Sequence, residues 1–136
     1  MCTSDKIIKS KLHKILTGLI LSSACAVFGG IYEHFSHGVY SNYMIYAFLI
    51  PLFLSVIPGI VILLNEKSVP TKTTSALWNA GVATLTIGCI FQGVLEIYGT
   101  TNRLMIVYPS IAAGLMAAGI TVWIIDLLVN TEQGNP

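Results

Sequence analysis

Phe28–Ala47 reads FGGIYEHFSHGVYSNYMIYA. This stretch closes one long apolar run and opens the next. The uncharged residues Ile15–Tyr32 lead into it, and Tyr43–Leu64 continues from it without a charge. Each run is long enough for a membrane-spanning helix, which needs roughly 17–25 residues. Between them lie Glu33, His34 and His37, the densest ionisable cluster of the chain, followed by Gly38, Ser41 and Asn42 as turn formers. Four of the six tyrosines, Tyr32, Tyr40, Tyr43 and Tyr46, fall within the stretch. Two apolar helices joined by a short polar turn make a helical hairpin in a membrane.

The rest of the chain repeats the pattern. The spans are predicted over residues 15–32, 43–64, 77–95 and 104–125, within one domain of residues 1–136. The fold expected is an all-α membrane protein, a bundle of four transmembrane helices built as two tandem hairpins. Composition agrees: 54% of the 136 residues are hydrophobic and 10% are charged. Soluble domains carry about 25% charged residues. A chain this short cannot hide so much apolar surface in a water-soluble core. The net charge of +1 offers no field for nucleic acid.

Orientation follows from the basic residues. Lys6, Lys9, Lys11 and Lys14 precede the first span, and Lys67 and Lys72 lie between the second and third. Only Arg103 lies on the other side. By the positive-inside rule both termini of this multi-pass protein are cytoplasmic. Tyr98 and Tyr108 join the other tyrosines near the outer ends of spans, whereas Trp78 and Trp123 fall near the inner ends. Lysines before an apolar run ending Leu21-Ser-Ser-Ala-Cys25 resemble a lipoprotein leader. The large aliphatic residue is one position too far from the cysteine for that pattern, and the apolar run continues to Tyr32, so span one is expected to be retained.

An internal repeat is also expected. Phe28, Gly30 and Glu33 match Phe91, Gly93 and Glu96 at a constant offset of 63, as Gly18 matches Gly81. Small residues spaced by four, Ser22-Ala26-Gly30, Ala80-Thr84-Gly88 and Gly114-Ala118, predict close packing among spans one, three and four, because close backbone approach is what holds helices together in lipid. Span two is bulkier and carries Pro51 and Pro58, each of which removes a backbone donor and favours a bend.

Glu33 and Glu96 fall at equivalent outer helix ends. A carboxylate there meets the negative pole of its own helix and needs a partner. His34 and His37 are the near candidates for Glu33, with His37 on its face if the helix continues. Arg103 lies across the turn from Glu96, and Gln92 one turn inward from it. Two readings stay open. In one, Glu33, His34, His37 and Glu96 form an outer pocket for a partner or a cation such as zinc, which takes imidazole nitrogen and carboxylate oxygen. In the other, both glutamates are interfacial and tied locally to His and Arg. Haem would need an axial ligand from elsewhere. No cofactor is otherwise implied. Cys2, Cys25 and Cys89 form no metal spacing, and no catalytic motif occurs. The expected function is therefore a non-enzymatic accessory or transport-related subunit, self-associating or bound to a membrane-protein partner. The alternative is a membrane redox or metal-handling protein.

The stretch YEHFSHGVYSNYMIYAFLIPL resembles small, uncharacterised four-span membrane proteins of Gram-positive bacteria. That resemblance implies a bacterial inner-membrane protein and carries no activity or site residue. Size and span number are also similar to the small multidrug-resistance exporters. Those place an essential carboxylate within the first span, where this chain has none between Lys14 and Glu33.

Overall fold

The computed structural model describes residues 2–64 and 70–133 and, among them, contains helices and no strand. The loop residues Glu66 and Lys67 lie outside the described residues. Helix α1 is Cys2–Phe35. Helix α2, Asn42–Leu64, is built of several shorter segments. Helix α3 is Lys72–Ile97. A 3-10 turn, Arg103–Ile106, leads into α4, Val107–Gln133. Four stretches, Lys11–Phe35, Asn42–Leu64, Lys72–Ile97 and Arg103–Val129, are long and apolar enough to cross a membrane. They extend the spans read from the sequence at most ends. The basic N-terminal segment is helical from Cys2, and Asp126 lies inside α4 rather than in a polar tail.

The helices pack in chain order, α1 on α2, α2 on α3 and α3 on α4. Thr71 and Asp126 meet at one end of the molecule, and Ser41 and Glu96 at the other. These are called the basal and apical ends.

The seams are lined by small residues, and of the sets spaced by four only Ser22 and Gly88 are buried there. On α3, Thr74, Gly81 and Gly88 are buried, and on α4, Ala112 and Gly119. Both sets repeat every seven residues, the period of left-handed helix pairing. A Cβ on Gly81 would lie 3.1 Å from the Ala112 carbonyl oxygen, so the backbones approach as closely as glycine allows. On α1 the buried strip is Gly18, Ser22, Cys25 and Gly29. Ala26, Gly30, Ala80, Gly114 and Ala118 are instead exposed, and nothing lies within 4 Å of a Cβ built on Gly30 or Gly114. The four-residue spacing was therefore the wrong guide. It drifts off the contact line, whereas steps of four and three alternate along it.

Helix α2 bends where the prolines fall. Pro51 cannot supply the usual donor to the Ala47 carbonyl, which accepts from the Ile50 N–H at 3.3 Å instead. The adjacent Phe48 carbonyl takes the Ser22 hydroxyl of α1 at 2.9 Å. Between the prolines, Leu52–Val56 widens into a π-helix. Pro58 likewise leaves the Leu54 carbonyl without its usual donor, and the Trp78 indole N–H of α3 donates to it at 2.7 Å. The gap at Pro51 is thus closed within α2, and the gap at Pro58 by the neighbouring α3, as lipid requires.

Candidate functional site

The apical end is built around the start of α2. Ser41 precedes the helix with extended backbone, φ −117° and ψ 126°, the conformation of an N-cap. Its hydroxyl is not turned to its own helix. It donates to Glu96 Oε2 at 2.6 Å, and Ser41 is only 1% exposed. Met44, one turn on, is wedged between α1 and α3. A Cβ on Gly93 would lie 2.9 Å from the Met44 nitrogen, and one on Gly29 would lie 3.2 Å from its carbonyl oxygen.

Glu96 stands three residues beyond Gly93, and Glu33 four beyond Gly29. Counting along the helices from the Met44 contacts, both carboxylates reach the level of Ser41. Each lies at the C-terminus of its own helix, an unfavourable pole, and beside the N-terminus of α2, a favourable one. Their environments nevertheless differ. Glu96 has the Ser41 hydroxyl. Glu33 Oε1 is buried and has no hydrogen-bond partner among the described residues. Unpaired buried acceptors are rare and costly.

The structure does not bring the other predicted residues to this carboxylate. Helix α1 ends at Phe35, so Glu33 and His37 do not share a helical face. His37 has φ +55° and its Nδ1 pairs with the Phe35 carbonyl at 2.8 Å, while its ring is exposed. His34 is exposed and packs edge-on against Phe35. Ser36 tightens the turn, donating from its hydroxyl to the Glu33 and Val39 carbonyls at 2.7 and 2.6 Å. Arg103 is exposed, and Glu96 pairs with Ser41 rather than with it. Gln92 is half-buried on α3. No group of three His, Cys, Asp or Glu among the described residues is placed to hold a metal ion. Glu33, His34, His37 and Glu96, weighed above as a pocket for a partner or a cation such as zinc, do not form a metal-ligand group among the described residues.

Beside the carboxylates, an open cavity of about 330 Å³ separates the apical ends of α1 and α3. Phe28, Ile31, Tyr32 and Phe35 line one wall and Ile97 and Tyr98 the other. Phe28 and Tyr32 stack with centroids 6.0 Å apart. Sequence reasoning missed Ser41 and Met44. A serine directly before an apolar helical run is an N-cap signal, but the partner of its hydroxyl, 55 positions away, leaves no local trace.

The basal end repeats one motif. Thr71 caps α3, accepting from the Thr74 N–H at 3.4 Å, and its hydroxyl donates to Asp126 Oδ2 at 2.9 Å. Again the cap of one helix is tied to a carboxylate near the end of the next, antiparallel helix. No protein-family model, curated protein or solved structure matches the chain.

Proposed function

We propose that the chain is a non-enzymatic, multi-pass membrane component, an accessory subunit that docks a membrane-protein partner or a second copy at its apical end. The observation that carries this reading is Glu33 Oε1, a buried acceptor with no donor among the described residues. Ser41 has one hydroxyl proton, and Glu96 takes it. A partner that brings a hydroxyl, amide or cationic side chain beside the aromatic cavity would complete Glu33, and its apolar side would fill the cavity. The lysine distribution supports an orientation with both termini cytoplasmic. The dispersal of His34 and His37 speaks against the redox or metal-handling alternative.

The test is affinity purification from membranes in mild detergent, with wild type and Glu33→Leu compared. A stoichiometric partner or homo-oligomer held by wild type and lost in the variant supports the reading. Equal recovery from both, or no association in wild type, refutes it.

A further inference from the structure

Glu33 lacks a donor, and the chain carries an unused one of the opposite charge. Arg103 is the only lysine or arginine in the two apical turns, residues 36–41 and 98–106. Its side chain is exposed and has no hydrogen bond or ion pair among the described residues. Glu33 is half-buried, with Oε1 covered and unpaired. The two do not meet within one chain. Met44 of α2 stands between α1 and α3 at this end, and Arg103 lies beyond α3.

Their surroundings are complementary as well. Arg103 opens the 3-10 turn Arg103–Ile106, in which positions three apart fall on one side. Ile106, 71% exposed, therefore flanks the guanidinium, and Leu104 is 68% exposed beside it. Glu33 shares the last turns of α1 with Phe28, Tyr32 and Phe35, which wall the open apical cavity. A cation with aliphatic neighbours thus answers a carboxylate with an apolar opening. Depth agrees too. Copies that span a membrane in the same orientation stand side by side with their apical ends level, so the arginine of one reaches the depth of the glutamate of the next.

We propose that Arg103 of one copy pairs with Glu33 of a second, so that the chain is a homo-oligomer of copies in one orientation. A guanidinium can donate to both oxygens of a carboxylate, which supplies what Oε1 lacks. The terminal torsion of a glutamate is soft, and turning it presents the carboxylate toward the uncovered side of Glu33. Leu104 and Ile106 would then enter the cavity. The inference names the partner of the apical site and rests on the docking reading above.

Full-length copies carrying two different tags would be co-expressed, and capture of one by the other measured in mild detergent. Wild type should capture wild type. Arg103→Glu and Glu33→Arg should each weaken self-capture at least about thirtyfold. The two variants together should capture each other, because each keeps the half that the other has lost, and the double variant should recover self-capture. Arg103 is exposed, so Arg103→Glu keeps the fold and decides the matter by itself should Glu33→Arg not fold. A monomeric wild type, self-capture unchanged by Arg103→Glu, or folded variants that fail to capture each other would overturn the proposal. Capture of a different protein, lost in Glu33→Leu and kept in Arg103→Glu, would also overturn it and leave the docking reading standing. Associations that all survive Glu33→Leu would remove both.

Discussion

Alanine at Gly93 should destabilise the protein, whereas alanine at Gly30 should not. The two glycines occupy matching places in the sequence, 63 residues apart. A Cβ at Gly93 would meet the Met44 nitrogen at 2.9 Å, its Cβ at 3.0 Å and its Cα at 3.2 Å. Main-chain atoms cannot swing aside as a side-chain tip can, so α2 must shift bodily. Overpacking of this kind costs about 1–3 kcal/mol. Alanine returns up to about 1 kcal/mol through helix propensity. The clash wins, leaving a net loss of about 1–2 kcal/mol. At Gly30, with nothing within 4 Å, only the propensity term acts, so the change is neutral or stabilising by up to about 1 kcal/mol. The assay is reversible unfolding of each variant in mixed micelles titrated with denaturing detergent. Because Ser41 lies one turn before Met44, moving α2 should also stretch the 2.6 Å bond to Glu96. Gly93→Ala and Ser41→Ala should therefore be less than additive. Equal midpoints for Gly93→Ala and Gly30→Ala would refute the wedge geometry and revive the repeat as two equivalent environments.

Trp78→Phe keeps the ring but removes the donor to the Leu54 carbonyl; a loss of about 1–3 kcal/mol is expected, with faster amide exchange confined to the α2 segment around Pro58 as its signature. Ser22→Ala should cost about 1 kcal/mol in the same assay, by removing the bond to the Phe48 carbonyl. At the basal end, Asp126→Ala should change stability by less than about 1 kcal/mol, since the Thr71 contact is exposed and water replaces it.

The long apolar runs made the four helices legible, because span length and charge exclusion are properties of local sequence. The end-to-end charge bias was equally plain. What could not be read was which face of each helix turns inward. Ala26 and Gly30 looked as much like a packing stripe as Gly18, Ser22, Cys25 and Gly29 do, since small residues fall on both faces of α1. The choice between them depends on where α2 bends, and that bend depends on Trp78 and Ser22 reaching carbonyls more than 20 residues away. The turn at residues 36–38 was hidden for a related reason. His37 leaves the helix at positive φ because Ser36 holds the Glu33 and Val39 carbonyls, so the predicted Glu33–His37 face never forms.

The apical carboxylates make the last prediction, and its sign differs between them. An N-terminal helix end attracts negative charge, so two glutamates beside the start of α2 are each favourable in charge terms. Hydrogen bonding is another matter, because one serine proton cannot serve both. Glu96 is the satisfied member, and removing it strands the Ser41 hydroxyl, which is 1% exposed. Glu96→Ala should therefore cost about 1–3 kcal/mol. Glu33 carries the unmet acceptor, and Glu33→Leu exchanges an orphaned oxygen for apolar contact. Removing an unsatisfied buried polar group is neutral or stabilising in the isolated protein. The same change should abolish partner capture if Glu33 is kept for a donor from outside the chain. A residue that costs stability alone and is needed in company is a functional residue in the sense of the stability–activity trade-off. Loss of stability in Glu33→Leu comparable to that in Glu96→Ala would show that Glu33 is held from within, and the apical docking argument would fall with it.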